Sequence, residues 1–175
     1  MSRSLLRLEP EFREKLELAI ETAKNEGVFM VPYETERHVE KQAKLWRQSR
    51  SAAAVRQKIH YLRDDGAPFL ADVLERVGPC SGGWATNALP GQSWHQWGLA
   101  ADLYWDSNGP APGGVEWSNL KGYEIFARIA RDIGLTSGFF WKSRDAVHVQ
   151  LPAESKPPLS LREISQKMET RFGGK

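Results

Sequence analysis

One cysteine in 175 residues removes whole classes of chemistry. Cys80 has no partner for an intramolecular disulfide, no CxxC redox pair is possible, and no zinc knuckle can be built on thiolates. A thiol nucleophile needs an activating neighbour, and the run GPCSGG around Cys80 offers none, so the residue reads as a plain free thiol. Long apolar runs are missing as well. Nothing approaches the ~18 consecutive apolar residues of a membrane span, and the opening stretch MSRSLLRLEPEF has no apolar core of signal-peptide length. The sequence therefore predicts no membrane insertion and synthesis in the cytoplasm. The net charge of +2 is too small to argue for nucleic acid. Arg37–Arg63 is locally basic, with eight Lys or Arg against one Glu, but the charges are spread at helical spacing and read as a solvated helix face. Several motifs are also absent. His38 begins His-Val-Glu-Lys without the second histidine of HExxH, and no GxGxxG, P-loop lysine or GxSxG elbow occurs.

The rest of the composition is that of an ordinary globular chain, 41% hydrophobic and 26% charged, and its length suits one domain spanning 1–175. Pro10 to Lys24 reads as a helix, with Phe12, Leu16, Ala19, Ile20 and Ala23 forming an apolar stripe. Val28 to Val31 reads as a strand closed by Pro32. A second helix runs from Glu36 to about Arg50, and Ser51–Leu62 either continues it or starts a third. Another opens at Ala67-Pro68 and stops at Gly78-Pro79. Cys80–Ser93 is a long loop, and such loops in compact domains are often functional. Strands follow at Gly98–Trp105, Phe139–Trp141 and Ala146–Leu151. A helix spans Asn119–Asp132, an extended connection spans Pro152–Pro158, and a last helix begins near Ser160. Helices first and strands clustered later give the α+β class, a small antiparallel sheet packed with N-terminal and central helices.

Two places put a histidine near an acid. Along the strand from 99 to 105, alternation places Leu99, Ala101 and Leu103 on one face and Ala100, Asp102 and Tyr104 on the other. His95 precedes this strand on a loop that Gly98 lets fold close. Along 146–151, His148 and Gln150 share one face, with Asp145 at the strand's edge. If the two strands are neighbours, His95, Asp102 and His148 converge. Two imidazoles and one carboxylate suit a catalytic zinc ion with a fourth position for water, and Asp145 is then a spare carboxylate placed to take a proton. The alternative is a hydrogen-bonded His–Asp strand pair without metal. His60 stands alone on a helical stretch and reads as structural or solvated.

At these residues the sequence resembles a known group. Ser93-x-His95-x-x-Gly98-x-Ala100-x-Asp102, followed by Asp145-x-x-His148, is similar to the LAS-type zinc peptidases. These include D-alanyl-D-alanine carboxypeptidases of the VanY kind and L-alanyl-D-glutamate endopeptidases, many of them phage endolysins. Arg37 with Gln42, then Leu45-Trp46-Arg47-Gln48-Ser49-Arg50, resembles the endopeptidase branch, as do Thr86-Asn87-Ala88, Pro90-Gly91 and His148-Val149-Gln150-Leu151. The resemblance covers about residues 8–152. It implies one Zn2+ per chain held by His95, Asp102 and His148, Asp145 as catalytic acid/base, and Arg37 as the residue that steadies a developing oxyanion. It also suggests Ser93 and Gln42 as loop supports or substrate contacts. Trp94, Trp97 and Trp141 are candidates to wall a substrate groove, and Trp46 and Trp105 are candidates for the core.

Five departures stand out: His38 where Ser or Thr is usual, Gln96 for a common asparagine, Val147 for a frequent proline, a Trp141–Asp145 spacing one residue tight, and a longer Ser51–Gly83 segment. The implied function is hydrolysis of the peptidoglycan stem peptide, at the L-Ala–D-Glu bond, by a monomer that reaches the cell wall by holin-assisted release or specialised secretion. A D-Ala–D-Ala carboxypeptidase and a non-catalytic zinc-containing binding domain are the alternatives.

Overall fold

The computed structural model describes residues 3–109, 113–156 and 158–174. Part of the extended connection expected at Pro152–Pro158 lies outside these. The elements alternate helix and strand less simply than the sequence suggests, and the chain packs as two compact units. One is formed by the residues up to Glu36 together with Trp97–Lys156, the other by Arg37–Gln96 together with the residues after Lys156.

The first unit holds the whole sheet. Helix α1 (Pro10–Asn25) starts at a proline in its first turn and ends before Gly27, whose φ of 79° suits glycine. It buries Phe12, Leu16, Ala19 and Ala23, the expected stripe without Ile20. Strand β1 (Phe29–Glu34) runs antiparallel to β2 (Ala100–Asp106). Pro32 lies inside β1 rather than closing it; β1 borders the sheet, where a missing N–H is tolerated. Strand β3 (Val115–Glu116) and strand β5 (His148–Gln150) take successive stretches of the other edge of β2, and β4 (Thr136–Ser137) pairs with β5. All pairings are antiparallel. Helix α5 (Lys121–Asp132) packs on α1 and on β2. It approaches β2 closely because Gly122 lacks a side chain; a Cβ there would meet the Trp105 ring at 2.3 Å. Trp105 is thus half-buried against a glycine, whereas Trp46, in the second unit, is the fully buried one of the two tryptophans expected in the core.

Two strand expectations need correction. Phe139–Trp141 is not a strand: β4 ends at Ser137, whose hydroxyl accepts from Phe139 N at 3.3 Å and starts a 3-10 turn at Gly138–Phe140. Ala146–Leu151 is a strand only at its centre. His148 N–H donates to Asp145 O at 3.2 Å, so residues 145–148 close a turn before the ladder begins.

The second unit is helical. Helix α2 (Val39–Arg47) is shorter than the expected Glu36–Arg50. It begins at His38, whose Nδ1 accepts from Glu40 N at 3.3 Å. The imidazole thus performs the capping that Ser or Thr performs at such positions, which accounts for the departure at 38. Helix α3 (Ala52–Asp64) is separate: Ser49 turns left-handed at φ 60° and the Ser51 hydroxyl caps the new helix. Helix α4 (Pro68–Arg76) packs on α2, α3 and α6 (Leu161–Phe172). The long 51–83 segment therefore builds, with α2 and α6, a core of Trp46, Leu62, Leu70, Leu74 and Met168.

Candidate metal centre

His95 lies in a 3-10 turn, Trp94–Trp97, seven residues before Asp102 on the continuous chain. Gly98 joins the turn to β2 with φ 71°. A Cβ there would meet Arg7 O at 2.9 Å and Glu9 N at 3.1 Å, so only glycine lets this junction lie against residues 7–9. Asp102 and His148 are cross-strand partners in the β2–β5 ladder. Their side chains meet directly, Asp102 Oδ1 and His148 Nδ1 being 3.0 Å apart. The two strands are thus neighbours, as convergence of His95, Asp102 and His148 requires.

His95, Asp102 and His148 are all buried, and each offers one ligand atom such that these atoms lie within 4.8 Å of one another. Donors around one tetrahedral zinc stand about 3.4 Å apart, so a small inward shift brings the three to bonding distance. The donor set also fits the ion chemically: imidazoles and a carboxylate are borderline-to-hard ligands that zinc accepts. Burial by itself pushes the His148 imidazolium down, yet the hydrogen bond and charge of Asp102, the Gln150 side chain and the charge of Asp145 together hold it above its ordinary value.

Asp145 is exposed and lies in the turn leading to β5, not at a strand edge as the sequence suggested. Its backbone is fixed at both ends, Asp145 N donating to Gly138 O at 2.9 Å and Asp145 O accepting from His148 N. Gly138 makes this possible: a Cβ there would meet Asp145 O at 2.5 Å and His148 Cβ at 3.2 Å. Gln150 is a site residue whose part the sequence did not reveal. Its Oε1 lies 3.0 Å from His148 Nε2, and the only signal for it was the two-residue alternation along the strand.

Arg37 donates its backbone N–H to His95 O at 3.3 Å, and its guanidinium donates to Gln42 Oε1 at 3.1 Å. Gln42 is fully buried, and its amide also donates to Ala88 O at 2.8 Å. It therefore lies behind Arg37 and ties it to the long loop. The same loop is held elsewhere by the end of α2 and the residues after it. Ser49 Oγ donates to Gly82 O, and Arg50 donates to Thr86 O and to Trp46 O. The Arg50 guanidinium lies 4.2 Å from the Trp46 ring and 4.1 Å from the Trp84 ring, a cation–π sandwich. Gln96 Oε1 accepts from Gly91 N at 2.7 Å. Ser93 is buried at the entry to the His95 turn. Trp94 and Trp97 are half-buried, with Lys156 Nζ 5.4 Å from the Trp97 ring. Trp141 is 41% exposed and its ring is 5.2 Å from that of His148.

A buried His-Asp-His set of this kind could hold a catalytic metal ion, and the class it suits is the metal-dependent enzymes. The comparisons make it particular. The profile of the VanY family, described as D-alanyl-D-alanine carboxypeptidase, matches residues 5–152, and the chain belongs to that family. It is a peptidoglycan-acting peptidase of the VanY type. No curated protein matches the sequence. Among solved structures, the fold is similar to a Serratia marcescens L-Ala D-Glu endopeptidase, ChiX, with 18% identity over 90% of this chain and 92% of that one and a TM-score of 0.53. It is also similar to the LD-carboxypeptidase LdcB, with 15% identity over 94% and 65% and a TM-score of 0.50.

A first consequence concerns Gly138. Replacing it by Ala is expected to displace the Asp145–His148 turn and lower kcat about 100-fold, since a shift of about 1 Å at reacting groups costs that much. Steady-state kinetics with a thermal melt as control check this; unchanged kcat would show that the turn tolerates the methyl group.

Proposed function

We propose that this chain is a zinc-dependent endopeptidase that cleaves the peptidoglycan stem peptide between L-Ala and D-Glu. The observation that carries the hydrolytic part is the buried set His95, Asp102 and His148, whose ligand atoms lie within 4.8 Å of one another. These three residues would hold a zinc ion, which would supply a Lewis acid for the scissile carbonyl and lower the pKa of a bound water toward ~7. Asp145, exposed and fixed through its backbone, would serve as the carboxylate that takes up a proton and returns it to the leaving amine. Arg37, steadied by Gln42, offers a fixed positive donor to the carbonyl oxygen as it becomes negative. Ser93 supports the His95 turn. Trp94, Trp97 and Trp141 provide apolar walls for the peptide, a reading supported for Trp141 by its ring lying 5.2 Å from that of His148. The choice of bond is supported by the motif shared with the endopeptidase branch and by the end-to-end fold match with the L-Ala D-Glu endopeptidase.

A second reading, removal of a terminal D-Ala, is favoured by the description of the matching family. Digestion of defined muropeptides followed by mass spectrometry separates the two. The expected product is a peptide freed at the L-Ala end, abolished by a chelator. Loss of a single D-Ala instead would replace the first reading by the second.

A further inference from the structure

Three aromatic rings on the sheet have no part in the chemistry above. Tyr104 follows Asp102 by two residues on β2, so the two side chains share one face of that strand. Tyr33 comes from the neighbouring strand β1. Trp117 follows β3 and contacts both, its ring centroid 5.6 Å from that of Tyr33, edge-on, and 5.9 Å from that of Tyr104. Trp117 is nonetheless 55% exposed.

An exposed tryptophan of this size is normally an entropic and solvation cost, yet this one is held in place. The Glu116 carboxylate accepts from Ser118 N, Ser118 Oγ and Asn119 N, and these donors hold its pKa below the usual carboxylate value. Tyr123 Oη donates to Glu116 O at 2.6 Å and accepts from Trp105 N at 3.2 Å, pinning β3 to β2. The result is a preorganised aromatic surface, and preorganisation matters most where a ligand must be met without further ordering.

We propose that Tyr33, Tyr104 and Trp117 form a subsite for a pyranose ring of the glycan strand, the muramyl sugar that carries the stem peptide. The proposal rests on the endopeptidase reading and sharpens it. Sugar rings present axial C–H groups that stack on an aromatic face. Position along β2 favours the sugar that carries the stem. Tyr104 stands two residues from Asp102, about 6.8 Å of strand, so the aromatic cluster begins close to the His-Asp-His set. In the substrate, a lactyl group and one alanine separate the muramyl ring from the L-Ala–D-Glu bond, an extended reach of about 7 Å. The terminal D-Ala–D-Ala bond is four residues and a lactyl group away, about 17 Å when extended. A sugar held beside Tyr104 therefore favours the first peptide bond over the last.

The test uses the full chain and its Trp117→Ala and Trp117→Phe variants. The peptide-free disaccharide of N-acetylglucosamine and N-acetylmuramic acid is titrated calorimetrically, and kcat/KM is measured on a muropeptide and on the same stem peptide lacking sugar. Trp117→Ala is expected to weaken disaccharide binding about tenfold, the size of one aromatic stacking contact. The preference for the muropeptide over the free peptide should fall by a similar factor, and Trp117→Phe should restore most of both. Equal disaccharide binding by wild type and Trp117→Ala overturns the proposal. So does an equal loss on both substrates, which would mean the rings hold peptide, or loss of a dimer in sedimentation, which would mean they hold a second copy. Disaccharide binding by a chain that cleaves no muropeptide would overturn the endopeptidase reading and leave the subsite standing.

Discussion

Asp145→Asn is expected to lower kcat by about 100-fold to 10,000-fold, the range a positioned general acid–base contributes, while the chain still takes up one zinc. The amide is nearly isosteric with the carboxylate. The backbone bonds that fix residue 145, to Gly138 O and from His148 N, do not involve the side chain, so the turn should persist. What disappears is the ability to accept a proton from water and deliver it to the amine. Metal content by elemental analysis, read beside kcat on a muropeptide, checks this. A variant with near-normal kcat would remove Asp145 from the mechanism. Loss of zinc along with activity would make it a residue that supports the ligand His148 rather than one that moves a proton.

His95→Ala is expected to abolish stoichiometric zinc binding and hydrolysis together, lowering metal affinity by well over the ~100-fold typical of lost outer-shell partners. Stability supplies a readout independent of catalysis. A ligand that binds only the folded state stabilises it by about 2.7 kcal/mol at 100 times its dissociation constant. Zinc should therefore raise the melting temperature of the wild type and leave that of His95→Ala nearly unmoved. Equal zinc-induced shifts in both would place the metal elsewhere. Chelator treatment of the wild type should reproduce the variant's inactivity and, unlike the mutation, be reversed by added zinc.

The sequence made the candidate ligands legible for a physical reason. Side chains alternate along a strand, so Asp102 and His148 could be placed on faces before their strands were known to pair, and the ladder then set them opposite each other. The helices were legible where glycine, proline and an apolar stripe agreed, as in α1 and α4. Legibility failed where a side chain answers a backbone need. Ser137 turns what reads as an apolar strand, Phe139–Trp141, into a 3-10 turn. His38 caps α2 three residues later than composition suggests. The Asp145–His148 turn shortens β5 because its hydrogen bond runs within the chain rather than across the sheet. Gln42 shows the same limit at the site: its spacing from Arg37 was visible, but not that its amide would be wholly buried between Arg37 and Ala88.

The junction at Gly98 also bears on the order of events during folding. Its carbonyl accepts from Glu9 N at 3.0 Å, a contact between residues 89 positions apart. Contacts of such separation close a large loop and form late, because the entropy of closure must be met before they return anything. The turn that presents His95 is thus latched by the first residues of the chain, and His148 arrives only when β5 joins β2. A partly folded chain holds no assembled ligand set. Metal uptake should accordingly mark the end of folding, with zinc acting as a seal on the finished molecule and not as a nucleus for it.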